Sequence, residues 1–149
     1  RAEFAAIVVR ALGLRLDNGP AQFKDVSASD WFNGALNTAI EYGLIEGFGD
    51  RTFRPNDKIT REQAMVIIAR AMTITGLKGK LAASAAEQTL SPYGDATNAS
   101  SWAKAGIADC VQAGVVKGVS LTRLAPQANI TRAEVAVIAQ RLLQKSDLI

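Results

Sequence analysis

Apolar residues recur at helical spacing in three stretches of this chain, each opened by an arginine. Phe4, Ile7, Val8 and Ala11, then Ala64, Ile67, Ile68 and Ala71, then Val135, Ile138, Ala139 and Leu142 fall at i, i+3, i+4 and i+7, the period of one helix face. Met65, Ala69 and Met72 widen the middle stripe, which suits a helix packed against more than one neighbour. Three such helices predict a central bundle. A shorter amphipathic segment precedes the second stretch, with Trp31, Ala35 and Ala39 in line and Leu36 and Ile40 beside them. It predicts a helix of about three turns, with Ser29 or Asp30 placed to cap its start and Gly43 to take the left-handed position after its end. Between this helix and the next, Gly43 to Pro55 is punctuated by glycines. That stretch predicts an ordered loop with a short extended pair around Phe53, and strand content is expected to be negligible. The alanine-rich stretch from Leu81 to Ala86 predicts one further helical turn.

The chain repeats itself. The arginine-led helices start at Arg1, Arg61 and Arg132. The second interval is 11 residues longer than the first, an excess placed in the stretch from Thr73 to Tyr93. Trp31, Gly43, Gly47 and Pro55 recur 71 residues later as Trp102, Gly114, Gly118 and Pro126. The unit reads Phe/Tyr-x-Asp, tryptophan-led helix, glycine-flanked loop, proline, Ile-Thr-Arg, second helix. Residues 1–22 then hold the second helix of a first repeat without its first half, 23–76 the second repeat, 77–92 a linker and 93–149 the third. Arg1 to Leu14 reads as a helix from within a longer protein rather than a signal peptide, and the stretch after the last helix reads as a natural end.

Composition narrows the chemistry. The chain has 149 residues and is 48% hydrophobic, enough for an ordinary core. It has no histidine and one cysteine, which excludes His-ligated zinc, cysteine clusters, Ser-His-Asp and Cys-His catalysis, and an intrachain disulfide. A net charge of +3, from 17 basic and 14 acidic residues, is no nucleic-acid signature. No apolar run approaches the roughly 18 residues needed to span a bilayer, so membrane insertion is not expected.

Thr60 with Gln63 and Thr131 with Glu134 have capping-box spacing, which accounts for all four residues. It does not account for Arg61 and Arg132, nor for Arg1. A cation at the first helical position faces the positive end of the helix dipole, unfavourable by up to about 1 kcal/mol. An ion pair to a nearby carboxylate such as Asp25, Asp50, Asp57 or Asp95 is the weaker explanation, because exposed pairs contribute little. The stronger one is an anion site, in which free helix N–H groups and a guanidinium fork converge on a carboxylate or phosphate.

Trp31 and Trp102 either wedge repeats together or offer a face to a sugar ring, and core packing is the stronger reading. Gly43, Gly47, Gly114 and Gly118 read as left-handed turn positions; bare backbone at Gly47 and Gly118 also gives a ligand room to approach. Cys110 aligns with the inward-facing Ala39 and reads as a small core residue. Asp50 and Asp57 read as turn and capping residues, because no Asp-x-Asp-x-Asp-Gly loop is present and Leu121 replaces Asp50 in the third repeat. No metal, cofactor or catalytic residue is assigned.

These motifs resemble the S-layer homology domain, a bacterial surface-anchoring module usually present in three copies. The resemblance rests on Phe23-Lys-Asp-Val26, Trp31, Gly43-Leu-Ile-Glu-Gly47, Gly49-Asp50, Thr52-Phe-Arg-Pro55 and Ile59-Thr-Arg61. It extends to Trp102, Gly114-Val-Val-Lys-Gly118, Pro126 and Ile130-Thr-Arg-Ala-Glu134. It implies an all-α, pseudo-threefold assembly with helix-loop prongs around a three-helix core. The implied location is extracellular, at the cell wall or S-layer, and the implied partner is a peptidoglycan-linked secondary cell-wall polysaccharide carrying pyruvylated N-acetylmannosamine. The family's binding arginine carries over onto Arg61 and Arg132, and onto Arg1 without its threonine. With Trp31, Gly47, Trp102 and Gly118, these are the candidate ligand contacts. Grooves between neighbouring prongs make Arg1 with the Trp31 repeat, and Arg61 with the Trp102 repeat, the expected working sites.

Two departures from the pattern bear on affinity: Glu62 adds a negative charge, and the third loop lacks the Gly-Asp of the second. On the anchoring reading, Arg61→Ala weakens binding and leaves the melting temperature nearly unchanged. The alternative is a protein-interaction module for S-layer assembly, in which Arg61→Ala chiefly costs stability. A glycosidase ranks far below, because no acidic pair recurs in a pocket.

Overall fold

The computed structural model describes residues 1–149 and contains helices, turns and loops, with one isolated antiparallel bridge between Thr60 and Asn129 and no sheet. The helices are α1 (Ala2–Ala11), α2 (Asn33–Glu41), α3 (Arg61–Thr75), α4 (Ala86–Leu90), α5 (Lys104–Gln112) and α6 (Arg132–Lys145). Short 3-10 turns lie at Lys78–Lys80 and Ala96–Asn98. No helix is long and apolar enough to cross a membrane.

The chain forms two compact units, Arg1–Lys58 and Ile59–Ile149. The division falls inside the second sequence repeat. Each unit joins the arginine-led helix of one repeat to the tryptophan-led helix and loop of the next.

In the first unit, α1 packs on α2. Phe4, Ala5, Val8 and Val9 are buried on one helix, and Ala35, Leu36 and Ala39 on the other. Ile7 and Ala11 are only half-buried, so the buried face of α1 is rotated from the expected stripe toward Ala5 and Val9. The connector before α2 is held by polar groups of that helix. Asn37 Nδ2 donates to Asp17 O at 3.1 Å and Pro20 O at 3.2 Å, Asn33 Nδ2 to Gly19 O at 3.0 Å, and Thr38 Oγ1 to Arg15 O at 2.8 Å. Each of these buried side chains finds a backbone partner for its donor, while Asn33 Oδ1 is buried without one.

In the second unit, α3 and α4 both pack on α5. Ala64, Ile67, Ile68 and Ala71 are buried as the spacing predicts, and Met65, Ala69 and Met72 join them. The segment read as a linker is structured. Residues 81–85 are not helical, and α4 starts at Ala86 and buries Leu90. Cys110 is fully buried and donates its thiol proton to Met65 O at 3.2 Å. Burial raises its pKa far above the ordinary thiol value.

The capping boxes form at both Thr60 and Thr131, and Gly43 and Gly114 adopt positive φ after α2 and α5. The start of α2 differs from expectation. Its N-cap is Phe32 and no side chain caps it; Asp30 instead accepts the Ser27 N–H at 2.8 Å within the preceding turn. Trp31 therefore lies outside the helix.

Candidate functional site

The same clamp is built in both units. In the first, Arg1 Nε donates to Phe53 O at 3.0 Å and Nη2 to Glu46 O at 2.7 Å. In the second, Arg61 Nε donates to Leu124 O at 2.8 Å and Nη2 to Lys117 O at 3.3 Å. Glu46 and Lys117, like Phe53 and Leu124, are 71 residues apart, so each guanidinium grips equivalent carbonyls of the loop that follows. The cation at a helix start is thus compensated by loop dipoles, which offsets the unfavourable helix dipole.

A geometry repeated behind both loops aims these carbonyls. Asp25 accepts the N–H groups of Phe53 and Arg54, both at 2.8 Å, and Asp95 those of Leu124 and Ala125, both at 2.8 Å. Arg54 and Ala125 take the left-handed conformation, φ 58° and 50°, which costs a non-glycine residue of order 1 kcal/mol. The aspartates hold that turn. Burial pushes their carboxyls up, yet the loop N–H bonds outweigh it and keep both below the usual range.

Neither clamp matches the expected anion site in full. In α3 the first amides are occupied: Arg61 N donates to Ala128 O, Glu62 N to Pro126 O and Gln63 N to Thr60 Oγ1. In α1, Ala2 N donates to Pro55 O at 3.1 Å. In α3 these amides serve the fold, so only the guanidinium side of that clamp is left for a ligand. The ion-pair alternative holds in part: Arg61 does meet a carboxylate, Glu134 rather than one of the aspartates. Asp25 and Asp95 hold backbone, and Asp50 serves Thr52 and Arg54. The partners that both arginines share are loop carbonyls, which carry no residue-type signature that a sequence can show.

The two guanidinium environments then diverge. Arg1 lies between the rings of Phe48 and Phe53, 4.7 and 4.6 Å from their centroids, with Arg54 on the outer face of Phe48 at 3.8 Å. Burial lowers its pKa, while Asp57 raises it and Arg54 lowers it further. Arg61 has no such stack, because Val119 and Leu124 replace the phenylalanines. Its side chain is 5% exposed and its Nη1 meets the Glu134 carboxylate, which is 33% exposed. Glu134 thus does more than cap α6.

A groove of about 530 Å³ opens over this pair. Its lining includes Arg61, Lys117, Gly118, Glu134, Val137 and Arg141, three cations against one carboxylate. Glu62 is not part of it. Buried, it accepts Ser100 N and Oγ at 2.8 Å and Gln127 Nε2 at 3.0 Å, bracing the loop rather than charging the site.

The remaining sequence-predicted residues fall elsewhere. Trp31 and Trp102 are 61% and 59% exposed, not core wedges. Trp31 lies 5.7 Å from Arg10, nine residues along α1 from Arg1, or about 13 Å of helix axis. Trp102 is not in the groove lining. Gly47 and Gly118 do not have positive φ. Glycine is required there because a Cβ would lie 2.1 Å from the Phe23 ring at Gly47, and 2.3 and 2.4 Å from the Ser120 and Arg123 carbonyls at Gly118. The chain's own atoms fill the space suggested for a ligand. Arg132 stands exposed at the start of α6.

Comparison with known proteins agrees with this repeated architecture. The S-layer homology domain model matches residues 22–65 and 92–136. An amylopullulanase of Thermoanaerobacterium thermosulfurigenes is 36% identical over 98% of this chain and 8% of its own length. The surface-layer 125 kDa protein of Lysinibacillus sphaericus is 35% identical over 99% and 12%, and a cellulosome-anchoring protein of Acetivibrio thermocellus 30% over 99% and 32%. The chain belongs to the S-layer homology domain family, a cell-surface anchoring module of the extracellular bacterial cell wall. It spans between 8% and 32% of the length of these relatives.

Proposed function

We propose that this module holds its parent protein to the wall by noncovalent binding of a secondary cell-wall polysaccharide bearing pyruvylated N-acetylmannosamine, without catalysis of its own. The observation that carries the reading is the cationic groove over Arg61, where Lys117 and Arg141 add charge beside apolar Val119 and Val137. Apolar surface with a few placed cations suits an acidic sugar. The relatives support it: an amylopullulanase and a surface-layer protein share this segment while their names differ in activity, as expected of a part that attaches rather than catalyses. Arg1 offers a second guanidinium, held against two rings.

Calorimetric titration with a terminal pyruvylated N-acetylmannosamine saccharide, beside the same sugar lacking the ketal, tests this. Binding that needs the ketal is the expected result; equal binding of both sugars, or of neither, overturns it. The exposed Trp31, Trp102 and Leu121 favour the second reading, a contact surface for other S-layer subunits. In that case self-association persists in the absence of polysaccharide.

A further inference from the structure

The second unit already contains a carboxylate docked on its arginine. Glu134 Oε2 meets Arg61 Nη1, while Oε1 accepts the Thr131 N–H at 3.2 Å in the capping box. Arg61 Nε and Nη2 are committed to loop carbonyls, so Nη1 is the nitrogen the loop leaves over, and Glu134, which lines the groove with Arg61, takes it. With Arg61 buried and Glu134 partly exposed, an incoming anion meets Glu134 first.

We propose that Glu134 occupies the seat of the ligand's carboxylate on Arg61, as a built-in competitor that sets the affinity and selectivity of this groove. The ligand's identity rests on the glycan reading above; the seat itself does not. A ligand carboxylate that displaces Glu134 recovers the charge-assisted bond to Nη1, and Lys117 and Arg141 remain to attract it. A neutral sugar recovers nothing, so the competitor rejects neutral glycans more strongly than acidic ones. The equivalent position in the preceding helix carries neutral Gln63, which closes its capping box at 3.0 Å on the Thr60 N–H. Glutamine therefore performs the capping role without the charge, and competition is separable from helix stability.

Glu134→Gln in the full chain is the test, with acetate as a bare carboxylate probe read on the Arg61 guanidinium NMR resonances. The acetate midpoint should fall roughly tenfold against the parent chain. In an Arg1→Ala background, which isolates this groove, affinity for the pyruvylated saccharide should rise by a similar factor. An acetate midpoint that is unchanged or raised by Glu134→Gln overturns the proposal. A lower acetate midpoint without saccharide binding to any variant supports the seat and removes the glycan reading.

Discussion

The two units use one backbone device with opposite surroundings for its cation. In the first, Arg1 lies between Phe48 and Phe53, with Phe23 tilted against Phe53 at 5.4 Å. In the second, aliphatic residues replace the rings and Glu134 neutralises the arginine. Ring faces attract a guanidinium without cancelling its charge, by about 0.5–1 kcal/mol each at exposed sites. A carboxylate cancels it. The repeated carbonyl grip shows what the fold requires of the arginine, and the divergent partners show what is left over for recognition: an open cation in the first unit and a covered one in the second.

The largest effect expected from this contrast is on stability. Arg61→Ala strips two loop carbonyls and Glu134 of a buried partner and should cost about 3 kcal/mol. Arg1→Ala leaves more accessible carbonyls that water can satisfy, and should cost about 1 kcal/mol. At roughly 2–4 °C per kcal/mol for a chain of this size, thermal unfolding separates the two. The expectation that Arg61→Ala spares the melting temperature does not survive the side chain's burial, so binding loss in that variant alone identifies no ligand contact. Equal losses from the two substitutions would mean that burial does not distinguish the clamps.

A smaller effect sharpens the comparison at the glycines. At Gly118 a Cβ collides with two backbone carbonyl oxygens, whereas at Gly47 it meets the ring of Phe23, which can rotate away. Gly118→Ala should cost about 2–3 kcal/mol and Gly47→Ala about 1 kcal/mol, read from denaturant midpoints. The reverse order would show the second loop to be the softer one.

What the sequence made legible follows from what repeats encode. Both capping boxes and the glycines after α2 and α5 depend on local rules and form as read, and the α3 stripe is buried as spaced, whereas the buried face of α1 is rotated from its period. Phe23-x-Asp25 and Tyr93-x-Asp95 were visible as a motif, but their role was not, because their partners are N–H groups nearly 30 residues away. Trp31 illustrates the opposite failure. Its spacing matches the Ala35 and Ala39 stripe, yet the helix starts two residues later, so helical periodicity never applied to it. The Arg61–Glu134 pair was hidden for a third reason: Glu134 already had a sufficient local explanation, and one carboxylate has two oxygens.

The finest expected difference is in acid. Asp25 and Asp95 both have lowered folded-state pKa values, so the unfolded chain binds protons more readily than the folded one near pH 4. The stability they contribute is fully present above the unfolded value of about 3.9 and is lost as pH falls through the lowered folded value. Asp95 is half-buried while Asp25 is exposed to solvent, and water screens the latter more. Acid should therefore release the Leu124 and Ala125 amides with a larger change in hydrogen-exchange protection than those of Phe53 and Arg54. Asp95→Asn should flatten the acid limb in the second loop alone, because the amide does not titrate, while its single acceptor oxygen holds the turn less firmly at every pH. Protection lost in parallel from both loops of that variant would mean that the aspartate turns do not act independently.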